Sequence, residues 1–205
     1  MNISVAIIFI IMSIINIVAC NKKHKMMIRL SKITLAPLAL INLLINSNLD
    51  NSIITLICIT YSFYLLGDTL LLSEKIWLFA SGLISFLLGH IVFIIILTSF
   101  AKSFVPLFIT LILLIYPEIL MLRIIKKCDK LKYPMVVYSF LLMLFIAFSA
   151  TTLNPLFIIG TLLFTLSDSF IAKNICSDKI KFTDTHIMGT YTLALILLSF
   201  GMIII

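Results

Sequence analysis

Long apolar stretches separated by short polar breaks run along the whole chain. One crossing of a bilayer takes roughly 20 apolar residues, and eight stretches approach that length. They cover residues 3–20, 30–45, 53–72, 76–97, 104–122, 133–150, 155–172 and 185–205. Their apolar residues are continuous, without the alternation of barrel strands, and only helices or closed barrels satisfy the backbone in lipid. The pattern therefore predicts an all-α, polytopic membrane bundle with about eight transmembrane helices.

The composition supports a membrane protein and excludes several other classes. The chain of 205 residues is 62% hydrophobic and 11% charged, whereas an ordinary soluble domain is about 25% charged. A soluble globular enzyme, a disordered tail and a disulfide scaffold are therefore excluded. Eight spans use nearly the whole length, so we expect residues 1–205 to form a single integral-membrane domain.

The basic residues predict an orientation in the membrane. Lys and Arg total 15 against 8 Asp and Glu, which gives a net charge of +7. With the amino terminus outside, Lys102 alone lies on the outer side, and all the others lie at cytoplasmic loops and span ends. These are Lys22, Lys23, Lys25, Arg29, Lys32, Lys75, Arg123, Lys126, Lys127, Lys130, Lys132, Lys173, Lys179 and Lys181. Because cytoplasmic loops carry such an excess, we expect a bacterial inner-membrane protein with both termini outside. No basic face with interleaved aromatics exists, which argues against nucleic acid as a partner.

The first span has some likeness to a cleaved signal. Residues 17–20 (Ile-Val-Ala-Cys) loosely resemble a lipoprotein cleavage box. However, no positively charged region precedes the span, and the lysine cluster that follows favours keeping that end in the cytoplasm. We therefore expect the first span to be retained.

Three carboxylates lie inside predicted spans: Asp68, Glu118 and Asp168. A charge within a span is costly, so such residues are functional candidates by default. Each lies about four residues before the cytoplasmic end of its span, which is roughly 6 Å at 1.5 Å per residue. All three therefore approach one plane. The spans that begin on that side add polar side chains within their first two turns, namely Lys32, Ser81, Tyr138 and Tyr191.

The surroundings of the two aspartates match. Residues 66–70 (Leu-Gly-Asp-Thr-Leu) resemble residues 166–170 (Leu-Ser-Asp-Ser-Phe), and the two spans cross in the same direction. A duplicated four-helix unit would produce this likeness, and so would chance similarity between apolar helices. Tyr64 shares one helical face with Asp68. For Glu118, and also for the two aspartates, the alternative is a shallow carboxylate that merely reaches water or pairs with Lys; the matching surroundings of Asp68 and Asp168 argue against that alternative for the pair.

The remaining candidates give weaker signals. His90 lies about 21 Å from the inner start of its span, where it would be either a proton carrier or a hydrogen-bonded structural residue. Cys20, Cys58, Cys128 and Cys176 form no CxxC pair and have no histidine at metal-ligand spacing, so we expect small buried or loop residues and no metal. There is no GxSxG, HExxH, P-loop or EF-hand motif. Two carboxylates without a nucleophile motif suit acid–base work on a bond whose cleavage begins with protonation.

Several of these motifs together resemble one known family. They are residues 61–68 (Tyr-Ser-Phe-Tyr-Leu-Leu-Gly-Asp), Phe79 to Gly82 continuing to Gly89-His90, Gly160 through Ser167-Asp168 to Ala172, and Tyr191 to Ala194. The chain is similar in these stretches, and in its number of spans, to the lysoplasmalogenase family of YhhN-like membrane proteins. That family usually has Lys-Pro in span two, a Tyr three residues after the His, and a Gln after the Ala of span eight. This chain instead has Ala36, Phe93 and Leu195 at those places, with Lys32 one turn before Ala36.

The resemblance implies hydrolysis of the vinyl ether of lysoplasmalogens to a fatty aldehyde and a glycerophospho-base. Asp68 and Asp168 would be the catalytic pair, one as the acid and one stabilising the cation and orienting water, in an order that stays open. The substrate-binding or supporting residues would be Lys32, Tyr64, Ser81, His90, Glu118, Tyr138 and Tyr191. The implied partner is a lysophospholipid in the membrane, and no cofactor is implied. The sequence does not specify an oligomeric state.

Two other functions remain as alternatives. A small transporter also needs intramembrane carboxylates, typically near the midplane, whereas these lie off-centre. A non-catalytic membrane protein would have no need of the aspartate pair.

Overall fold

The computed structural model describes residues 3–73, 75–128, 131–176 and 183–205. Within these ranges lie eight α-helices, each long and apolar enough to cross a membrane. They are α1 (Ile3–Asn21), α2 (Lys25–Asn46), α3 (Asn51–Leu70), α4 (Ile76–Ser99), α5 (Val105–Ile125), α6 (Lys132–Thr151), α7 (Pro155–Cys176) and α8 (Asp184–Ile204). The predicted all-α membrane bundle is confirmed.

Some helices extend beyond the apolar stretches that predicted them. The helix α2 begins at Lys25 rather than at residue 30, and α7 continues to Cys176. His24 caps α2, because its side chain accepts a hydrogen bond from the Met27 backbone N–H at 3.3 Å. Hydropathy marks where the chain leaves the hydrocarbon, whereas a helix continues as long as its backbone groups find partners. The apolar pattern therefore underestimates these helices.

Small residues bring α3 and α4 close together. The hydroxyl of Ser85 donates a hydrogen bond to the backbone carbonyl of Phe63 at 2.7 Å. A Cβ atom placed on Gly89 would lie 2.7 Å from the ring of Tyr64, and one on Gly82 would also be crowded by α3 and the residues that follow it. The stripe of small residues on α4 is therefore a packing surface, which is the usual use of such stripes in membrane helices.

The two halves of the bundle share most of their helix contacts. In the first half α1 contacts α2, α2 contacts α3, and α3 contacts α4. In the second half α5 contacts α6, α6 contacts α7, and α7 contacts α8. The halves are joined by α2 against α8 and by α6 against α4, which are again corresponding pairs. The contacts of α1 with α8 and of α5 with α7 have no counterpart within the described residues, so the packing follows a duplicated four-helix unit only in part.

We call one end of the bundle the basic end. It is where α1, α3, α5 and α7 finish and α2, α4, α6 and α8 begin, and residues Ile28, Phe79 and Asp184 line a common cavity there. Most of the Lys and Arg residues lie at this end in the sequence. Lys130, Lys179 and Lys181, which contribute to the predicted orientation, lie outside the described residues. The side of the membrane that the basic end faces stays a prediction.

Cys128 and Cys176 are buried, as expected, but they also form a disulfide that was not expected. Cys128, just after α5, is bonded to Cys176 at the end of α7, 48 positions away in the chain. Cys20 and Cys58 are free. The bonded residues meet because α5 and α7 pack together and end at the same side of the bundle. Spacing along the sequence carries no signal of that proximity.

Candidate active site

Asp68 lies inside the bundle, near the end of α3, with 1% of its surface exposed. The hydroxyl of Tyr191 on α8 donates a hydrogen bond to its Oδ2 atom at 2.6 Å. The ammonium Nζ of Lys32 on α2 lies 3.5 Å from its Oδ1 atom. Each carboxylate oxygen therefore has a partner, one a neutral donor and the other a cation. Such pairing is what makes a buried carboxylate tolerable.

Asp168 occupies the corresponding position on α7 and is half-buried. The hydroxyl of Tyr138 on α6 donates a short hydrogen bond to its Oδ2 atom. Each aspartate is therefore held by a phenol from a different neighbouring helix. The surroundings of the two carboxylates differ in charge, because Lys32 forms an ion pair with Asp68.

The two carboxylates line one small cavity. Asp68, Asp168, Lys32 and Tyr191 are its polar walls, and Phe86 contributes an apolar one. The space open to the centre of a water molecule is about 10 Å³, close to the minimum for holding a single water. The pair that the sequence pattern singles out is therefore brought to one water-sized space.

A larger cavity adjoins this one at the basic end. It has about 260 Å³ open to water-sized groups and shares Lys32 and Leu71 with the aspartate cavity. Asp184, the first residue of α8, also lines it. A polar group that enters from the basic end would therefore meet Lys32 before it reaches the carboxylates.

Phe86 is a wall residue that the sequence analysis missed. It lines the aspartate cavity, and it lies so close to α3 that a Cβ atom on Gly67 would be 2.6 Å from its ring. The glycine beside Asp68 therefore allows Phe86 to pack there. An apolar residue in an apolar span gives no signal in the sequence. The Gly-Asp pair on α3 does indicate that another helix approaches α3 closely at this point.

His90 and Tyr64 lie in an aromatic cluster rather than at the carboxylates. The His90 Nδ1 atom is 2.6 Å from the backbone carbonyl of Phe86. Because a carbonyl only accepts, Nδ1 carries the hydrogen. The centroids of the Tyr64 and Phe164 rings lie 5.3 Å and 4.7 Å from that of His90. Within the described residues, His90 Nε2 and the Tyr64 hydroxyl have no hydrogen-bond partner. These contacts favour the structural alternative for His90.

Glu118 and Ser81 also lie apart from the aspartate cavity. Glu118 is half-buried and accepts a hydrogen bond from the Ser139 hydroxyl at 2.7 Å, in a separate cavity between α5, α6 and α7. The Ser81 hydroxyl donates to the carbonyl of Trp77, one turn earlier on its own helix, at 3.0 Å. A serine within a helix often bonds backward in this way. Of the polar residues predicted to lie at one depth, Lys32, the two aspartates and their tyrosines therefore meet, whereas Glu118 and Ser81 do not join them.

The described part of the chain contains no group of three or more His, Cys, Asp or Glu side chains arranged to hold a metal ion. The chemistry that the site itself offers comes from two carboxylates with different partners around one space. Pairs of carboxyl groups whose environments differ are suited to divide the roles of proton donor and charge stabiliser.

Comparison with known proteins places the chain in a family. The profile of the YhhN family matches residues 27–202. The chain belongs to the YhhN family. Neither a curated protein nor a solved structure matches it significantly. The stretch of this YhhN protein that matches runs from the first turn of α2 to the last turn of α8, and it includes both aspartates and each of their partners.

Proposed function

We propose that this YhhN protein is a lysoplasmalogenase, which hydrolyses the vinyl ether of lysoplasmalogens to a fatty aldehyde and a glycerophospho-base. The family to which it belongs includes the known lysoplasmalogenases. The observation that carries the proposal is that Asp68 and Asp168 line one water-sized cavity inside a membrane bundle. A lipid substrate reaches such a site without leaving the bilayer.

The different partners of the aspartates suggest a division of roles. Asp68 has the Lys32 ammonium at 3.5 Å and the Tyr191 hydroxyl at 2.6 Å, and both favour the ionised form. No ion pair to Asp168 is present in the described part of the chain, where Tyr138 is its hydrogen-bond donor. We therefore assign Asp168 as the proton donor, and Asp68 as the carboxylate that stabilises positive charge on the substrate.

The reaction needs one proton and one water molecule. Asp168 gives its proton to the β-carbon of the vinyl ether, and the electron pair of the double bond forms the new C–H bond. The resulting oxocarbenium ion lies against the Asp68 carboxylate. Water adds to the cationic carbon and returns a proton to Asp168. The hemiacetal then breaks its bond to the glycerol oxygen. Asp168 gives its proton to that oxygen, which leaves as the alcohol, and the hemiacetal hydroxyl gives its own proton back to Asp168 as the carbon becomes the aldehyde. Proton transfer by a positioned carboxyl group is ordinary general acid–base catalysis.

An ester would not be cleaved by this arrangement. It lacks a protonatable double bond, so its hydrolysis would require a nucleophile at the carbonyl. Ser167 lines the cavity, but its hydroxyl donates to the backbone carbonyl of Ile187 at 3.0 Å. A serine nucleophile needs an adjacent base that takes its hydroxyl proton. The backbone carbonyl of Ile187 is not such a base, so the hydrogen bond of Ser167 only holds α7 against α8.

The test is aldehyde release by the purified protein in detergent. A lysoplasmenyl lipid and the matching ester lysophospholipid are supplied side by side. We expect aldehyde from the first and no hydrolysis of the second. A transporter or a non-catalytic membrane protein would release no aldehyde, and faster cleavage of the ester would contradict the proposed chemistry.

A further inference from the structure

A narrow apolar cavity adjoins Asp168. It is lined by α5, α6 and α7 and, through Leu83 and Phe86, by α4. Its polar side chains are Tyr138, Ser139 and Asp168. The space open to the centre of a water molecule is only about 20 Å³. The other lining side chains are almost all apolar and include Met121, Met135 and Leu142. Methionine side chains adapt readily to what they contact, so this narrow space can accommodate a slender apolar group.

A second cavity adjoins the first and reaches farther from the basic end. The two cavities share Met121, Ser139 and Leu142. The second has about 80 Å³ open to water-sized groups, and Leu114 and Ile146 are its lining residues farthest from the basic end on α5 and α6. We call the two cavities together the α5–α7 channel. Along α6 from Tyr138 to Ile146 the channel is roughly 12 Å long, at 1.5 Å per residue.

The depth of the carboxylates and the length of the channel together span about one leaflet of a bilayer. The carboxylates lie roughly 6 Å below the end of the hydrocarbon, by the same rise per residue. A chain that starts there and follows the channel therefore ends roughly 18 Å deep, near the midplane of a hydrocarbon core about 30 Å thick. The channel runs in the direction that a lipid chain takes below its head group.

Two of the polar hydroxyls along the channel are bonded within the protein. Ser139 donates to Glu118 at 2.7 Å, and the Ser169 hydroxyl donates to the carbonyl of Thr165 at 2.7 Å. The Thr165 hydroxyl, which also lines the channel, has no hydrogen-bond partner among the described residues. Groups that are already paired do not have to be desolvated again when an apolar chain packs beside them, and Thr165 loses no bond within the protein.

The helix α5 separates the channel from lipid. It packs against α6 and α7, and Ile125 at its end is its single buried residue within the described chain. Leu113 is 69% exposed on the outer face, whereas its neighbour Leu114 lines the channel. One helix with little of its surface in the core is thus the wall through which an apolar chain would enter sideways.

We propose that the α5–α7 channel binds the single aliphatic chain of the lipid substrate, and that Leu114 and Ile146 limit its length. This inference rests on the proposed function for the identity of the substrate. The head group stays in the cavity beside Lys32, the first carbons of the chain lie at the aspartates, and the rest follows α6 inward. The narrow bore admits one chain and gives a physical reason for preferring lyso lipids over lipids with two chains.

The direct test is photolabelling of the unmodified protein. The probe is a lysophosphatidylcholine whose acyl chain carries a diazirine at its terminal carbon, and the labelled residues are mapped by mass spectrometry. We expect labels on the channel side, at residues such as Leu114, Met143 and Ile146, and competition by unlabelled lysophosphatidylcholine. Labels confined to outward-facing residues such as Leu113 would overturn the proposal.

A pair of neighbouring substitutions tests the limit on chain length. Leu114→Trp fills the end of the channel, whereas Leu113→Trp adds the same bulk to the lipid-facing side of α5. We expect Leu114→Trp to lower kcat/KM for long-chain lysoplasmenyl lipids by roughly tenfold or more, the order of effect that one methylene has in a closed apolar pocket. Short-chain substrates should be affected much less, and Leu113→Trp should keep the original chain-length profile. Equal chain-length profiles in both variants would contradict the proposal.

The two tests distinguish failure of the channel from failure of the proposed function. Labels in the channel without any aldehyde release would support a chain-binding channel in a protein that is not a lysoplasmalogenase. Aldehyde release with labels only on the outer surface would support the enzyme and overturn the channel. Labelling needs no turnover, so it decides the point even if the Leu114→Trp variant fails to fold.

Discussion

Lys32 reaches Asp68 from the helix turn that precedes Ala36. Its Nζ atom lies 3.5 Å from Oδ1 of the aspartate. The residue before Pro37 in this span is Ala36, which cannot supply a cation. Residues four apart lie on the same side of a helix, so Lys32 presents its ammonium on the same side of α2 as Ala36.

The ion pair predicts that activity depends on a cation at position 32. Lys32→Met leaves the buried Asp68 carboxylate without its cation, and breaking one side of a buried pair is costly. We expect kcat/KM for lysoplasmenyl lipid to fall by roughly tenfold or more, with a smaller loss for Lys32→Arg, which keeps the charge. Lys25→Met, at the exposed start of α2, is the control. Full activity in Lys32→Met would show that the pair does not matter.

The two aspartates are expected to be needed individually. Asp68→Asn and Asp168→Asn keep the shape of the side chain but remove its acid or its charge, so each should lower turnover by at least about 10²-fold, the low end for a general acid or base. Membrane yield should be retained. Asp50→Asn, the same substitution at the exposed beginning of α3, should remain fully active. Near-normal turnover in either site variant would remove that aspartate from the mechanism, and loss of protein instead of activity would make the pair structural.

The tyrosines offer a comparison between bonded and unbonded hydroxyls. Tyr191→Phe removes a hydrogen bond to the ionised Asp68, and bonds to charged groups contribute about 1.5–3 kcal/mol. Tyr138→Phe removes a hydrogen bond to the acid Asp168, and bonds between neutral groups contribute about 0.5–1.5 kcal/mol. We expect Tyr191→Phe to lower kcat/KM by roughly tenfold or more and Tyr138→Phe to lower it by a few-fold to about tenfold. Tyr64→Phe removes a buried hydroxyl without a partner among the described residues, and it should leave both activity and thermal stability nearly unchanged. The same loss in all three variants would mean that the hydroxyl bonds are irrelevant.

Orientation and thiol state can be examined together. Reporter fusions are expected to place both termini outside and the loop between α5 and α6 in the cytoplasm, because fourteen of the 15 basic residues fall on that side. Cys128 and Cys176, joined in the structure, would then face a reducing compartment, where disulfides are rare. The predicted orientation thus conflicts with the disulfide of the structure. We expect alkylation of denatured protein from growing cells to find both as thiols, with the bond forming only when the protein is oxidised. A disulfide in growing cells would contradict the predicted orientation. A reporter that assigns the α5–α6 loop to the outside would reverse the orientation.

The sequence predicts most of what depends on local pattern. Continuous apolar runs indicate the eight helices because lipid leaves the backbone few alternatives. Asp68, Asp168, Lys32, Tyr138 and Tyr191 are predictable as a group, since residues at one depth in a bundle can meet. Which tyrosine bonds to which aspartate is not predictable, because it depends on how each helix is rotated about its axis.

Other features arise only when helices pack. The disulfide between Cys128 and Cys176 requires that α5 and α7 end side by side, which no spacing in the chain indicates. Ser81 and Glu118 share the expected depth with the aspartates but have other hydrogen-bond partners. The depth of a residue in the membrane follows from its position in the sequence. The direction of its side chain depends on how the helix is rotated against its neighbours.

Hydrolysis in D₂O tests most directly whether the protein cleaves a vinyl ether by protonating its β-carbon. The purified protein is incubated with lysoplasmenyl lipid, and the released aldehyde is analysed by mass spectrometry, with authentic aldehyde in D₂O as the control for exchange. We expect one deuterium on the carbon next to the aldehyde group, beyond that control. No aldehyde, or aldehyde without this deuterium, would contradict that mechanism.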